Sequence, residues 1–409
     1  MDYQAYFSQT LNNIRGEGRY RYFAPLEKLQ GQYPKALWHT EDGIKEITIW
    51  CSNDYLAMGQ NADVITAAKA ALDSQGAGAG GTRNIGGTNN LHVQLEQRLA
   101  KLHNQQAALT YSSGWISNMA GLSALGQIMP GLIYISDAAN HNSMIAGIRA
   151  GQTDKVIFKH NDMADLRRVL ESLPVDRPKI IVFESVYSMD GSVAPMHEIC
   201  DLADEFKAMT WLDEVHAVGL YGPHGGGKSD EFGLSKRITF IEGTMAKALG
   251  NVGGYVTGSV DAVDVLRSFG HGFIFSTALP PAIAAGAIQA IDIIMSDEGQ
   301  ALRNTHQAQA EKTRQRLLEE GFPILRTTTH IVPLMVGDPV KCKQITDMLI
   351  NEYGIYVQPI NYPTVPKGTE RLRLTPSPLH SDAEIEHLIS CLNDLRRKIG
   401  GWPMKQQAA

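Results

Sequence analysis

A lysine set among small residues is the first position in this sequence that could do chemistry. Lys247 lies in the stretch GTMAKALG, directly after the apolar run RITFIE and with three glycines among the next seven residues. Surface lysines are usually solvated and surrounded by other charges. Small neighbours instead favour a close-packed pocket, where an amine can lose its proton and act as a nucleophile. Lys247 is therefore a candidate nucleophile, and the alternative is a solvated loop lysine.

An acidic residue and two histidines could serve the same site. Asp213 ends an otherwise apolar run one strand–helix–strand unit before the lysine. It is either a helix N-cap or a buried carboxylate that faces a positive partner. His216, three residues later, could reach a polar substituent of the same ligand. His141 is either a satisfied structural histidine or a flat ring that lies over another flat ring.

Hydroxyl groups complete a set that suits a phosphate. Thr244, Ser276 and Thr277, with backbone amides near Gly114, could clamp phosphate oxygens, although such hydroxyls are also common in caps and turns. Pyridoxal phosphate needs a lysine for its aldehyde, a carboxylate for its pyridine nitrogen, a group stacked on its ring and a phosphate clamp. We therefore predict pyridoxal phosphate as the cofactor.

Six short apolar runs predict the strands that position these residues. They cover residues 107–113, 132–137, 179–185, 209–214, 237–244 and 253–259. Continuous apolar runs indicate strands buried on both faces, and helical patterns such as MADLRRVLESL and MHEICDLADEF lie between several of them. This alternation predicts an α/β fold with a mostly parallel sheet, in which ligands bind at the carboxyl ends of the strands.

Polar residues follow five of these strands, which together indicate one site. They are Ser112 and Ser113, Asp137 with His141, Glu184 with Ser188, Asp213 with His216, and Thr244 with Lys247. The glycine-rich stretch GAGAGGTRNIGG (76–87) does not predict dinucleotide binding, because the segment before it is helical in pattern and that fingerprint must follow a strand.

The chain divides into three predicted parts. Residues 1–50 form an N-terminal arm with one or two helices, residues 51–290 the large cofactor-binding domain, and residues 291–409 a smaller C-terminal α/β domain. A helix over 299–320 and strands over 330–337, 354–360 and 371–378 are predicted in the last part.

Composition narrows the class of protein. The 409 residues are 43% hydrophobic and 20% charged, and the formal net charge of -6 argues against a nucleic-acid binder. The four cysteines form no CxxC pair, so neither a metal site nor a disulfide framework is predicted. The N-terminus resembles neither a signal nor a transit peptide, and no window of 18 apolar residues exists, so we expect a cytoplasmic protein without a membrane span.

Several motifs together resemble one family. GTMAKALG, DEVHAVGLYG, ESVYSMDG, GGTRNIGGT, FIFSTALPP and PTVPKGTERLRLTPSP are similar to those of the 5-aminolevulinate synthase family, a branch of the α-oxoamine synthases within the fold-type I pyridoxal-phosphate enzymes. The resemblance covers about residues 15 to 395. It implies a homodimer that condenses glycine with succinyl-CoA, releasing CoA and CO2, to give 5-aminolevulinate for tetrapyrrole synthesis.

The resemblance also implies roles for individual residues. Lys247 would carry the cofactor and transfer protons, Asp213 would pair with the pyridinium, His141 would stack on the ring and His216 would bond its phenolic oxygen. The implied cofactor-binding residues are Gly114, Trp115, His141, Ser188, Asp213, His216, Thr244 and Lys247, with Ser276 and Thr277 from the other subunit. The implied substrate-binding residues are Arg21, Asn53, Thr82, Asn84, Ser136, Lys155, Thr364 and Arg373. Among them, Arg373 would grip the glycine carboxylate and Arg21 the distal succinyl carboxylate.

The sequence departs from the usual family pattern at Gly114–Trp115, Gly86, Asn89–Asn90 and Asn251–Val252, outside the catalytic set. Two rival functions stay open from the sequence. One is another α-oxoamine synthase, such as glycine C-acetyltransferase or 8-amino-7-oxononanoate synthase, and Arg21 and the GTRN stretch speak against it. The other is a cofactor-sensing regulatory domain without turnover, which would need an attached DNA-binding module.

Overall fold

The computed structural model describes residues 1–403 of the chain. Its strands are β1 (Leu26–Lys28), β2 (Lys35–Thr40), β3 (Gly43–Ile49), β4 (Ala107–Tyr111), β5 (Ile133–Asp137), β6 (Asp154–Phe158), β7 (Lys179–Glu184), β8 (Met209–Asp213), β9 (Phe240–Thr244), β10 (Gly254–Gly258), β11 (Val332–Met335), β12 (Ile355–Tyr356), β13 (Pro359–Ile360) and β14 (Arg371–Leu374). Its helices are α1 (Tyr3–Gly16), α2 (Ala62–Gln75), α3 (Asn90–Leu102), α4 (Gly114–Ile128), α5 (Asn142–Ala150), α6 (Met163–Glu171), α7 (Met196–Glu205), α8 (Lys228–Glu231), α9 (Val260–Phe269), α10 (His271–Ile274), α11 (Pro281–Ile294), α12 (Asp297–Glu319), α13 (Pro339–Tyr353) and α14 (Asp382–Lys398).

The chain folds into two compact units. Unit 1 combines residues 1–55, 189–191 and 305–409, and unit 2 combines residues 56–188 and 192–304. Residues 404–409, which the sequence assigns to the C-terminal domain, lie outside the described residues. The three-part division predicted from the sequence stays a prediction.

Unit 2 is built on a seven-stranded sheet in the order β4-β10-β9-β8-β7-β5-β6. The pairs from β9 to β6 are parallel, whereas β10 runs antiparallel to both of its neighbours. Every residue of β7 is buried, because apolar side chains pack on both faces of the sheet. Val182 packs with Leu122 of α4 on one face, and Phe183 packs with Ile199 of α7 on the other. The predicted α/β class with helices on both faces is confirmed.

Unit 1 contains two smaller sheets. β1, β2, β3 and β12 form one, in which β12 pairs parallel to β3, and β11, β14 and β13 form an antiparallel other. Its apolar core includes Trp50, Phe322 and Leu372, with α13 and α14 contributing Leu349 and Leu392.

The strand predictions need four corrections. The run predicted over 354–360 forms two short strands, β12 and β13, which belong to different sheets. The predicted arm holds β1 to β3 as well as one helix, because an alternating pattern such as that of β2 lacks a continuous apolar run. β6 was not predicted, because this edge strand is mostly exposed except at its last residue, Phe158. The run predicted over 237–244 becomes a strand only from Phe240, since residues 235–237 form a short 3-10 helix.

Candidate functional site

Six strands of unit 2, β4 to β9, end at one edge of its sheet, and five of them are followed by candidate residues. β4, β5, β7, β8 and β9 run in the same direction, because β10 is antiparallel to both β4 and β9 and the remaining pairs are parallel. The loops that follow these strands carry the polar residues singled out in the sequence. This edge is the place where an open α/β sheet binds its ligand.

The loop that carries Lys247 is closed by the sheet itself. β9 ends at Thr244, β10 begins at Gly254, and these two residues are partners in the antiparallel ladder. The Thr244 hydroxyl donates to the Gly253 carbonyl at 2.8 Å, and the Gly250 N–H donates to the Lys247 carbonyl at 2.7 Å. The loop is therefore a turn with fixed ends, and it holds the base of the lysine side chain.

Gly250 is required by the path of this loop. Its φ is +62°, and a Cβ at this position would lie 1.9 Å from the backbone nitrogen of Gly59. A side chain is excluded both by the left-handed backbone and by the neighbouring peptide. The glycines after the lysine therefore allow the loop to pack against a second backbone segment of unit 2.

The Lys247 amine contacts a histidine. Its Nζ lies 2.6 Å from Nε2 of His216, which is buried in the turn after β8. Lys247 is half-buried rather than solvated. A histidine can exchange a proton near neutral pH, so the pair can keep an amine beside a proton donor and acceptor.

Asp213 is a buried carboxylate held by neutral donors. It is 4% exposed, and it accepts from the Asn118 amide at 2.8 Å and from the Val215 N–H at 2.9 Å. The Trp211 indole N–H donates to the Asn118 Oδ1 at 2.8 Å, which fixes the amide so that its NH2 faces Asp213. Because a buried charge is costly without an opposite charge, this site suits a cationic group such as a protonated pyridine nitrogen.

His141 is oriented at the first turn of a helix. It is the N-cap of α5, its Nδ1 lies 2.7 Å from the Ser143 hydroxyl, and its backbone N–H donates to Glu184 at 2.7 Å. Ser143 also accepts from the Asn118 amide at 3.1 Å. One asparagine thus connects the histidine to Asp213, and the imidazole is exposed at the edge of the sheet.

A helix begins beside the lysine loop. α4 starts at Gly114 after its N-cap, Ser113, and a Cβ on Gly114 would lie 3.1 Å from the Thr244 Cβ. The glycine therefore lets the start of the helix approach the end of β9. The first N–H groups of a helix and its dipole favour an anion such as a phosphate. Trp115, in the same turn, is 43% exposed.

The remaining hydroxyls lie near a glycine-rich turn. Ser276 and Thr277 line a small cavity with Ser112, and Thr277 forms an antiparallel bridge with Thr82. The Thr82 hydroxyl in turn donates to the Asn84 Oδ1 at 2.7 Å.

Unit 1 holds a second group of candidate residues. The Arg373 guanidinium donates to the Asn53 Oδ1 at 3.1 Å and to the Tyr55 hydroxyl at 2.7 Å, and it is 7% exposed. A guanidinium fixed on two sides presents a rigid fork that suits a carboxylate. Arg21 and Thr364 line a separate cavity of about 280 Å³ with several tyrosines.

Four predicted residues have local partners or surroundings of their own. Asp137 pairs with His160 at 2.9 Å, and the Ser136 hydroxyl accepts from the Asn140 amide at 2.9 Å. Lys155 is exposed on β6, and Ser188 is half-buried after β7. The binding roles of these residues stay predictions.

Sequence reasoning missed three residues that contact the candidate set. Asn118 and Glu242 surround Asp213, and Tyr55 holds Arg373. The available signal was a polar residue in an apolar segment: Glu242 interrupts the run FIEGT, and Asn118 lies in the apolar helix α4.

The class of this protein follows from comparison with known families. The sequence profile of the family described as aminotransferase class I and II matches residues 45–392. The chain belongs to this family. The structure is also similar to that of serine palmitoyltransferase from S. paucimobilis, solved with a bound PLP–myriocin aldimine, with a TM-score of 0.88 and 29% identity over 96% of this chain and 97% of that one.

Two relatives carry the name of the family that the motifs resemble. The chain is 55% identical to the 5-aminolevulinate synthase of Rhizobium meliloti, and 97% of each chain is covered. It is 54% identical to 5-aminolevulinate synthase 1 of Cereibacter sphaeroides at the same coverage. The predicted resemblance to the 5-aminolevulinate synthase family and the predicted pyridoxal-phosphate cofactor are confirmed.

Proposed function

We propose that this protein condenses glycine with succinyl-CoA to form 5-aminolevulinate, with loss of CoA and CO2. The observation that carries the proposal is the 55% identity, over nearly the full length, with a protein named for that product. The geometry of Lys247, His216 and Asp213 supports it, because the reaction needs an amine, a proton relay and an anion opposite a cationic ring.

The cofactor would be held by groups of unit 2. When bound, pyridoxal phosphate supplies an aldehyde that takes up an amine and a ring that withdraws electrons from the neighbouring carbon. Lys247 would provide the amine, and Asp213 would pair with the ring nitrogen. His141 would stack on the ring, and His216 would contact its phenolic oxygen. The start of α4 at Gly114 suits the phosphate.

The proton that leaves glycine would go to Lys247. Arg373, supported by Asn53, orients the glycine carboxylate, and the neutral lysine amine takes the α-proton. His216, 2.6 Å from Lys247, can accept or return a proton during the cycle. Positioned acid–base groups of this kind contribute about 10²- to 10⁴-fold to a rate. After CO2 leaves, a proton must return to the same carbon, and Lys247 would return it.

The acyl-CoA would be recognised mainly by charge and polar contacts. Arg21 is the proposed partner of the distal succinyl carboxylate, for which a guanidinium is suited. The proposed contacts for the remainder of succinyl-CoA are Thr82, Asn84, Ser136, Lys155 and Thr364. The Thr82–Asn84 hydrogen bond supports a preformed turn at one of these contacts.

We propose further that the protein acts as a homodimer in the cytoplasm. Ser276 and Thr277 would reach the phosphate bound by the partner subunit, and no nucleic acid or membrane takes part. Among the described residues, no helix combines the length and the apolar character needed to cross a bilayer.

A panel of acyl-CoA substrates with glycine tests the function. We expect release of CoA with succinyl-CoA, detected with a thiol reagent, and a product with the mass of 5-aminolevulinate. Equal or greater turnover with acetyl-CoA or a long-chain acyl-CoA would favour a different α-oxoamine synthase. Absence of CoA release with every acyl-CoA would favour a binding protein without turnover.

A further inference from the structure

Three acidic residues lie side by side on the central strands of unit 2. Glu184 of β7 is the register partner of Asp213 of β8, and Asp213 is the register partner of Glu242 of β9. Register partners on neighbouring parallel strands project to the same face of a sheet. All three are almost completely buried, with 2%, 4% and 0% of their surfaces exposed. The cofactor described above would give only one of them, Asp213, a cationic partner.

The contacts of Glu242 point toward Asp213. The Ser117 hydroxyl donates to the Glu242 Oε1 at 2.5 Å. The Asn118 amide, which donates to Asp213 at 2.8 Å, lies 3.3 Å from the Glu242 Oε2. The two carboxyl groups are register partners on neighbouring strands and share the Asn118 amide, so they lie against each other in the same buried pocket. Two carboxyl groups can share such a contact only if one of them carries a proton.

The surroundings decide which carboxyl group keeps the proton. The titratable groups that face Glu242 are Asp213, Lys247, Tyr111 and Tyr255. Burial, followed by the charge of Asp213, raises the pKa of Glu242 well above its ordinary value of 4.5. Asp213 instead accepts an N–H donor at each of its two oxygens, from Asn118 and from Val215.

We propose that Glu242 is a positioning residue: it stays protonated and donates a hydrogen bond to Asp213, which keeps Asp213 ionised and aimed at the cofactor's ring nitrogen. This inference rests on the proposed function, in which Asp213 pairs with that nitrogen. Glu242 contacts no substrate and takes part in no bond-making step. Its hydrogen bond would hold the Asp213 carboxylate toward the ring nitrogen, so that the ring would keep its proton and its electron-withdrawing power.

Two substitutions test whether position 242 needs a neutral hydrogen-bond donor or a negative charge. Glu242→Gln keeps the size, donates through its NH2 and accepts from Ser117, so it should titrate and turn over like the unchanged protein, within about threefold. Glu242→Leu keeps the approximate size but cannot donate. It should lower kcat about tenfold with little change in the KM for glycine, because a charge-assisted hydrogen bond is lost.

The decisive readout is the visible absorption band of the bound cofactor, titrated with pH in the absence of substrates. A weaker electron-withdrawing ring raises the basicity of the nitrogen that joins the cofactor to Lys247. Glu242→Leu should therefore shift the midpoint upward by about one pH unit, while Glu242→Gln stays near the unchanged protein. A merely structural role would change thermal stability without moving this midpoint.

Two results would overturn the inference. If Glu242→Gln shifts the band as far as Glu242→Leu, then a negative charge rather than a neutral donor is required at this position. If Glu242→Leu titrates like the unchanged protein, Glu242 has no influence on Asp213. If the leucine variant does not fold, Glu242→Thr replaces it, since its hydroxyl is too short to reach Asp213. The titration needs no acyl-CoA, so a failed titration differs from a failure of the unchanged protein to make 5-aminolevulinate.

Discussion

The contact of 2.6 Å between Lys247 and His216 determines what each side chain can do. An amine acts as a nucleophile and a base only after it loses its proton, and a neighbouring imidazole can take that proton near neutral pH. The same contact restricts the long lysine side chain to one direction. The proton-transfer chemistry of Lys247 therefore depends on the position of His216.

Replacing Lys247 by alanine should abolish both turnover and the covalent link to the cofactor. No other group on the loop can supply the amine, so we expect activity to fall by at least about 10⁴-fold. Borohydride reduction followed by peptide mass analysis should label Lys247 in the unchanged protein and label nothing in the variant. Lys236→Ala, at an exposed lysine of the same unit, is the matched control and should keep the label. Full activity in Lys247→Ala would refute the assignment.

The sequence identified some site residues because their neighbourhoods are local. Lys247 stands among small residues and Asp213 ends an apolar run, and both features are visible within ten positions. For Asn118 the local sequence shows only a polar residue in an apolar helix, because its partners Asp213 and Trp211 lie on another element. Which buried polar residue meets which strand end depends on the packing of α4 on the sheet, and that packing is not written in any short stretch.

At the scale of elements, the lysine loop is an extension of the sheet. Thr244 and Gly254 pair across the antiparallel ladder of β9 and β10, so both ends of the loop are fixed by backbone hydrogen bonds. Each of the six runs predicted as a strand contains a strand in the structure, because burial on both faces leaves an unbroken apolar pattern in the sequence. The exposed edge strand β6 leaves no such pattern and was missed.

Substituting Gly250 by alanine should destabilise this loop. The new Cβ meets the Gly59 backbone, and the positive φ adds strain, so we expect a loss of about 2–4 kcal/mol. Gly233→Ala is the matched control, because its φ of +67° is similar and nothing lies within 4 Å of its Cβ. The control should lose only about 1 kcal/mol. Thermal unfolding of the two variants measures the difference, and equal losses would mean that the approach to Gly59 is unimportant.

At the scale of the whole molecule, buried carboxyl groups make stability depend on pH. Burial raises the pKa of Glu214 from 4.5 to about 6, although it accepts from the Ser185 hydroxyl and from two N–H groups at the start of α8. A carboxyl group with a raised pKa in the folded state binds its proton more tightly there than in the unfolded chain. Its contribution is therefore complete below about pH 4.5 and declines as the pH rises to about 6.

Glu214→Gln should remove this decline, because the amide carries no titrating proton. The free energy of unfolding of the variant, relative to that of the unchanged protein, should be about 2 kcal/mol higher at pH 7 than at about pH 4.5. Urea unfolding at both pH values measures this difference. Glu205→Gln is a control of opposite sign, since the hydrogen bonds from Arg167 lower the pKa of the exposed Glu205. The stability lost in Glu205→Gln should be greatest at pH 7 and should become smaller toward low pH. If Glu214→Gln and the unchanged protein differ by the same free energy of unfolding at both pH values, the prediction is wrong.

Unit 1 combines segments that lie far apart in the chain, and this has a consequence for its synthesis on the ribosome. β3 gains its partner β12 only when residues about 300 positions further along the chain emerge. At about 5–20 residues per second, the open side of β3 waits roughly 15 to 60 seconds for that partner. During this interval the nascent chain carries an unsatisfied row of peptide groups that another strand could capture. Slower translation between residues 56 and 304 would lengthen this exposure, so a codon-level change there should lower the soluble yield without altering one amino acid.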